Sequence, residues 1–555
     1  MNRRILLALL SSILLFVASP GQWALTKLVW IAMLPLLHAC QGLSMKKSAR
    51  LGLLCGLVYY LSLIYWIIIA LGQYGGLPLW VTLPALVGLS LYMAFYLAAF
   101  TAIVGWTAGR LPVVWTAPLA WVGLDFIRCR LFTGFPWLDL GYSQFDWPLI
   151  SQAADLGGHY FITFLIVMVN ALLADLFAAK HRGDPSRDAL ASIDFAQGRR
   201  LEVGRSGHVE LHLSGWCGTQ GLPREGRSLG IRFVLPVLLI VSVLAYNLWR
   251  YPQMKKALSQ APTISIGLMQ GNIDQSEKWL PELQEKTVDT YLELSAEATS
   301  NQATDLLIWP ETALPFFPSE SSLFQRVTAK FSLPGGPSLL TGAPHFEVDP
   351  DSRKTNYFNS AFLIKPTPVV QGVALQRYDK EHLVPFGEYI PLQQYLPKAM
   401  PLVQTMGNFS PGQDSAPLIG EKAKLGVLIC FESIFPEEAR VRVSRGANIL
   451  VNLTNDAWYG RSSAPFQQVP MAVLRAIENR RSLARAANTG ISCLIDPLGT
   501  VLSASPIFEK MQMSGRLPLI EEASFYTRYG FLFPQLCLLL LSLMLLYGIL
   551  RRDRV

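Results

Sequence analysis

Apolar residues come in long blocks over the first half of this chain and again at its end. Eight runs read as membrane spans, near 4–19, 23–40, 51–72, 80–106, 112–127, 159–180, 231–249 and 529–550. A helix needs about 20 mostly apolar residues to cross a bilayer. The first, second and fifth runs are short, and a buried or interfacial helix is the alternative for each. The opening "MNRRILLALLSSILLFVASPG" also has the layout of a secretory signal peptide: Arg3 and Arg4, an apolar run, then small residues. More spans follow closely, so a retained helix is expected.

The pattern changes over 251–527. Short apolar runs predict strands at 263–270, 306–309, 338–343, 360–365, 425–430, 448–454 and 492–496. Helical stretches are expected near 281–301, 319–331, 436–445 and 464–487. Strands alternating with helices predict an α/β domain with a largely buried sheet. The expected organisation is a membrane domain over 1–250 with seven spans, an outer domain over 251–527, and a last helix with a basic tail over 528–555.

Charge orients these parts. Lys46, Lys47 and Arg50 lie between spans two and three, and Arg110 between four and five. Six more basic residues, from Lys180 to Arg205, lie between six and seven, and Arg551, Arg552 and Arg554 close the chain. The loop at 73–79 has no Lys or Arg, and only Arg128 and Arg130 break the alternation. Basic loops stay in the cytoplasm, so 251–527 is expected on the opposite face. That stretch holds 24 Lys and Arg against 27 Asp and Glu; the remainder holds 23 against 12. The net charge of +8 therefore belongs to the membrane flanks and not to a nucleic-acid footprint.

The polar segment 181–230, rich in Gly, Arg and Ser, reads as a cytoplasmic loop. The spans carry almost no ionisable residues, with Asp125 and Asp175 near predicted ends, which argues against an ion-coupled transporter. The stretch 383–418 is rich in Pro and apolar residues and nearly free of charge. It reads as a lipid-facing lid, or else as a loop folded flat on the domain.

Three polar residues follow apolar runs in the outer domain. Glu311 follows "LLIW", Lys380 lies in "RYDKEHLVPFGEYIP", and Cys430 ends "LGVLIC". Open α/β sheets collect functional groups at the carboxyl ends of strands. A free thiol titrates near about 8.5, so a carboxylate that takes its proton makes it a nucleophile. An ammonium, with the backbone N–H of Phe431, can then hold the oxyanion. Taken singly, each has a plainer reading: a solvated charge for Glu311 and Lys380, a small packed residue for Cys430. Cys493, in "GISCLIDP", is expected to be core, with a Cys430–Cys493 disulfide as the alternative.

The ordered set "QGNIDQSEKW" (270–279), "WPETALP" (309–315), "YDKEHLVPFGEYIPL" (378–392), "CFES" (430–433) and "LVNLTNDAWYG" (450–460) resembles the apolipoprotein N-acyltransferase family of the nitrilase superfamily. "FTGFPWLDLGYSQ" (132–144) in the membrane half does too. The resemblance implies an αββα nitrilase-like domain facing the periplasm, carried on about eight helices of the bacterial inner membrane. It implies transfer of the sn-1 acyl chain of a phospholipid, through a Cys thioester, to the α-amino group of an S-diacylglyceryl-cysteine apolipoprotein. No cofactor, metal or nucleic acid is implied. The base falls on Glu311, the lysine on Lys380 and the nucleophile on Cys430. Supporting residues fall on Glu388, Phe431 and Glu432, and substrate-side residues on Trp279, Asn455 and Trp458. The chain departs from the family at two positions: residue 431 is Phe where Tyr is common, and Gln468 stands where His is frequent. A membrane-tethered amidase that hydrolyses an amide is the alternative enzyme, and a non-catalytic lipoprotein or lipid binder the alternative of another class.

Overall fold

The computed structural model describes residues 2–21, 24–182, 233–366, 375–390 and 408–552. Most of the segment 181–230, and 391–407 of the 383–418 stretch, lie outside the described residues.

Apolar runs of the first half and the C-terminus form a helical bundle. Among the described residues, four helices are long and apolar enough to cross a membrane: Leu79–Thr107, His159–Phe177, Leu235–Gln260 and Leu532–Leu550. Shorter helices pack with them, among them Asn2–Ala18, Met45–Leu63 and Val113–Arg128. The run near 23–40 is not one helix. It breaks into Thr26–Leu28, Val29–Ala32 and Leu34–Cys40, and Pro35 sits in the first turn of the last piece, where its missing N–H does least harm. The run near 51–72 is also broken: its helix ends at Leu63 and resumes as a wide turn over Ile69–Tyr74. Gly52 and Gly56 let helix Met45–Leu63 approach Leu79–Thr107 closely. A Cβ on Gly56 would meet Ala94 Cα at 2.9 Å, so the small-residue spacing sets this crossing.

Arg128 and Arg130, the exceptions to the charge alternation, are both engaged. Arg128 is buried against Asp139, Asp125 and the Tyr60 hydroxyl, and Arg130 lies over the rings of Phe126 and Phe531.

Among the described residues, the α/β part of the chain contains two six-stranded sheets. In chain order the strands are β1 (Thr263–Gln270), β2 (Leu306–Ile308), β3 (Ser338–Val348), β4 (Thr355–Ile364), β5 (Gln376–Asp379), β6 (Leu418–Ile419), β7 (Lys424–Ile429), β8 (Ile449–Thr454), β9 (Ser482–Ala487), β10 (Cys493–Ile495), β11 (Val501–Ala504) and β12 (Met511–Pro518). One sheet runs β12-β1-β2-β3-β4-β5, the other β11-β10-β9-β8-β7-β6. Their facing sides interlock through Ile266, Leu268, Val427, Ile429, Val451 and Ala484. Helices Gln284–Asn301 and Ser322–Phe331 cover the first sheet, and Pro436–Ser444 and Ala464–Asn479 the second.

The expected helix over 464–487 stops at Asn479. Arg480 turns the chain at φ +51, and "SLARAA" becomes the central strand β9. Its Ala, Leu and Arg favour helix, but pairing with β8 and β10 on both edges overrides that local preference.

Helix Ala464–Asn479 lies between the second sheet and the membrane bundle, and its buried side chains join the bundle's own core. Gln467 on this helix accepts the indole N–H groups of Trp66 (3.0 Å) and Trp137 (2.8 Å) and donates to Leu63 O, a carbonyl freed where helix Met45–Leu63 ends. His159, at the start of a membrane helix, is held between Asp139 (2.8 Å) and Glu478 (3.1 Å), and Arg475 pairs with Glu478 at 2.7 Å. The two halves thus share one apolar core and one buried ionic network.

Candidate active site

Glu311, Lys380 and Cys430 come together at the carboxyl ends of β2, β5 and β7. Lys380 Nζ lies 3.8 Å from Glu311 and 2.9 Å from Glu388. Asn359, from β4, donates its amide N–H groups to both carboxylates, at 2.8 Å to Glu311 and 2.9 Å to Glu388. The second oxygen of Glu311 accepts the main-chain N–H of Asn455 at 2.9 Å. A two-point hold of this kind fixes the carboxylate's direction as well as its position.

The Glu311 turn is built against β3. Trp309 N donates to Leu340 O, Gly342 N to Pro310 O, and Leu314 N to Gly342 O. A Cβ on Gly342 would lie 2.8 Å from Glu311 Cα and 2.5 Å from Thr312 N, so only glycine lets the turn sit there.

Cys430 follows β7 with φ +52, a left-handed conformation that is strained for a residue with a side chain. Glu432 closes the turn by accepting Ile429 N at 2.6 Å. Its other oxygen accepts the Tyr378 hydroxyl and the main-chain N–H groups of Glu381 and His382. Arg442 backs this cluster, with bonds to Val427 O, Tyr378 and Glu438. The strand end carrying Cys430 is thereby tied to the chain that follows Lys380.

Both lysines of the site are buried, and they shift in opposite directions. Burial works against the Lys380 charge, but Glu388 and Glu311 outweigh it and hold the ammonium above its ordinary value. Lys278 donates to a carbonyl, and burial, against the pull of Glu311 and Cys430, brings it down to about 8. Burial, with Glu311 adding and Lys380 opposing, pushes the Cys430 thiol up to about 12. Cys430 therefore rests as a thiol at neutral pH, and a base would have to take its proton for it to serve as a nucleophile.

Phe431 enters an aromatic cluster with Phe435, His382 and Phe135. Phe135 stacks on Trp137, so the 132–144 motif of the membrane half supports the Cys430 turn. Trp279 and Trp458 are 50% and 40% exposed on loops after β1 and β8. Asn455 has no free side chain: Gln275 and Asn488 engage it, and it meets the site through its main chain. Gln468 is buried and accepts from Arg485 at 2.6 Å, a guanidinium that also binds Asp456 and Asn452. Cys493 is a free, fully buried thiol on β10, and Cys430 is free as well. Among the described residues, no group of three or more His, Cys, Asp and Glu side chains is arranged to hold a metal.

Asn359 and Lys278 are the site residues that sequence reasoning missed. Both lie close to quoted or predicted elements, in "YFNSAFLI" and "QSEKW". Neither carries a local sequence signal, because each acts through a residue distant in the chain.

Two facing sheets between helical layers, with Glu, Lys and Cys at their strand ends, define a nitrilase-type hydrolase domain; residues 265–519 match the family described as Carbon-nitrogen hydrolase. Residues 11–172 match the Apolipoprotein N-acyltransferase N-terminal domain. The chain is 37% identical over 541 residues to Apolipoprotein N-acyltransferase of Geobacter metallireducens, covering 97% of this chain and 93% of that one. It is 31% identical to the protein of that name from Methylococcus capsulatus, covering 95% and 93%. The chain belongs to the apolipoprotein N-acyltransferase family. Among solved structures it is similar to a carbon-nitrogen hydrolase from Helicobacter pylori G27, at 19% identity and TM-score 0.35, covering 49% of this chain and 94% of that one.

Proposed function

We propose that the protein moves a phospholipid acyl chain, through a thioester on Cys430, to the N-terminal amino group of S-diacylglyceryl-cysteine apolipoproteins. The observation that carries this reading is the meeting of Glu311, Lys380 and Cys430 in a chain related to Apolipoprotein N-acyltransferases over nearly its whole length.

Glu311 takes the thiol proton as sulfur bonds to the ester carbonyl carbon. Lys380 and the Phe431 N–H stabilise the oxyanion. Collapse breaks the ester C–O bond, Glu311 returns its proton to the glycerol oxygen, and the lysophospholipid leaves. In the second half the acceptor amine attacks the thioester. Glu311 accepts the amine proton, the C–S bond breaks, and the proton goes back to sulfur. Glu388 and Glu432 hold Lys380 and the Cys430 turn in place, and Phe431 seats that turn. Trp279 and Trp458 face the incoming substrates, and Asn455 orients Glu311.

The same reading takes the apolar runs as about eight spans in the bacterial inner membrane. The parts are 1–250, 251–527 on the periplasmic side, and 528–555. The lysine and arginine bias of the loops supports that orientation.

The test is the fate of the acyl-enzyme. Protein loaded with phospholipid is held with and without an S-diacylglyceryl-cysteine peptide. Acyl transfer predicts an adduct that persists until the peptide arrives and then appears on the peptide's amine. Equal decay in both samples would make hydrolysis, as in a tethered amidase, the better account.

A further inference from the structure

Lys278 is an inward-pointing lysine in an outward-pointing loop. Ser276, Glu277, Trp279 and Leu280 are exposed, whereas Lys278 is 2% exposed. Its Nζ donates to the main-chain oxygen of Glu311 at 3.1 Å. An ammonium has three N–H donors, and a carbonyl brings no countercharge. Among the described residues no carboxylate lies within ion-pair distance of it, which is an expensive way to bury a cation. The titratable groups facing it are Glu311, from the turn after β2, and Cys430, from the turn after β7. Asp274 and Glu277 of its own loop point to solvent. Lys380 shares its charge with Glu388 and Glu311, so Lys380 alone leaves two carboxylates facing one cation.

We propose that Lys278 is the second cation of the site, a positioning residue that fixes the Glu311 turn and whose charge favours the anionic state of the Glu311–Cys430 pair. Burial brings this lysine to about 8, so its charge is present below that pH and lost above it. A cation beside a thiol moves its titration down by about one pH unit or more, equivalent to about tenfold in thiolate.

The inference rests on Cys430 being the nucleophile of the proposed reaction. Its test uses full-length protein and iodoacetamide, with no lipid. Alkylation of Cys430 is followed by mass spectrometry of its peptide between pH 6 and 10. The wild-type rate should rise with pH and flatten near 8. Lys278→Met should react about tenfold more slowly below pH 8 and converge with wild type above it. Lys278→Arg, charged throughout, should show no break. A Lys278→Met profile that superimposes on wild type from pH 6 to 8 would overturn the proposal. Should that variant fail to fold, a break near 8 surviving in Lys278→Arg does so instead. A protein with the expected profiles that never takes an acyl group from phospholipid would sink the acyl-transfer reading and leave the role of Lys278 standing.

Discussion

Glu432 accepts the main-chain N–H of Ile429 at 2.6 Å with one carboxylate oxygen and that of Glu381 at 2.8 Å with the other. One side chain thus joins the residue before Cys430 to the residue after Lys380. Hydrogen bonds to a buried charge are each worth about 1.5–3 kcal/mol, and Gln can accept with only one of its two polar atoms. Glu432→Gln should therefore destabilise the protein by roughly that amount and slow formation of acyl-Cys430. Denaturant unfolding and a single-turnover acylation assay check both. Unchanged acylation in the folded variant would show that the tie does not set the geometry.

Asn359 keeps two neighbouring carboxylates apart in function while holding them together in space. With Asn359→Leu, Glu311 and Glu388 lose their shared donor, and the Glu311 carboxylate is held at only one of its two oxygens. A hydrogen bond to a charged group is worth about 1.5–3 kcal/mol, so acylation per folded molecule in a single-turnover assay should fall about tenfold or more. An unaltered rate in the folded variant would mean that Asn359 does not fix the direction of Glu311.

Lys380 is asked for two things, countercharge and oxyanion contact. Lys380→Met leaves Glu311 and Glu388 buried without it, a loss of about 3–5 kcal/mol in stability. Among folded molecules acylation should drop by about 10²–10³, the effect of losing one oxyanion donor. Thermal unfolding and acylation per folded molecule separate the two effects.

The bond between His159 and Glu478 predicts how the halves are joined. Burial works to raise the Glu478 carboxyl, but Arg475 and His159 outweigh it and hold it below the ordinary carboxylate value. A depressed carboxylate contributes its stability above its unfolded value, and that contribution is lost as pH falls through the folded one. The ionic joint should thus be complete at neutral pH and fail only in acid. Glu478→Gln should cost about 3–5 kcal/mol and reduce, without abolishing, the acid sensitivity of unfolding, with acylation per folded molecule retained. Unfolding curves across pH 3–7 decide it.

Much of this architecture was legible in the chain. Uninterrupted apolar runs such as "TISIGLMQ" and "LGVLIC" gave β1 and most of β7, because strands buried on both faces carry few competing signals. Glu311 and Cys430 stood out as polar groups ending such runs, whereas Lys380 follows the polar strand "QRYD" and stood out only within its longer motif. Strand β9 did not, since "SLARAA" has helix-forming composition and is a strand only through its neighbours. Asn359 was hidden for a related reason. Its importance lies in two carboxylates 48 and 29 residues away, a relation that no local pattern encodes. The breaks at 33 and 64–68 also depend on tertiary contacts, among them the Gln467 side chain reaching Leu63.

The central claim is a covalent acyl group on Cys430, and mass spectrometry of the full-length protein after incubation with phospholipid tests it most directly. The expected result is an acyl-sized mass increment on the Cys430 peptide, released by hydroxylamine at neutral pH as a thioester is. It should be absent from Cys430→Ala and unaffected in Cys493→Ala, whose thiol is buried in the core on β10. An acyl group found on Cys493, or acyl transfer by the Cys430→Ala protein, would contradict the account.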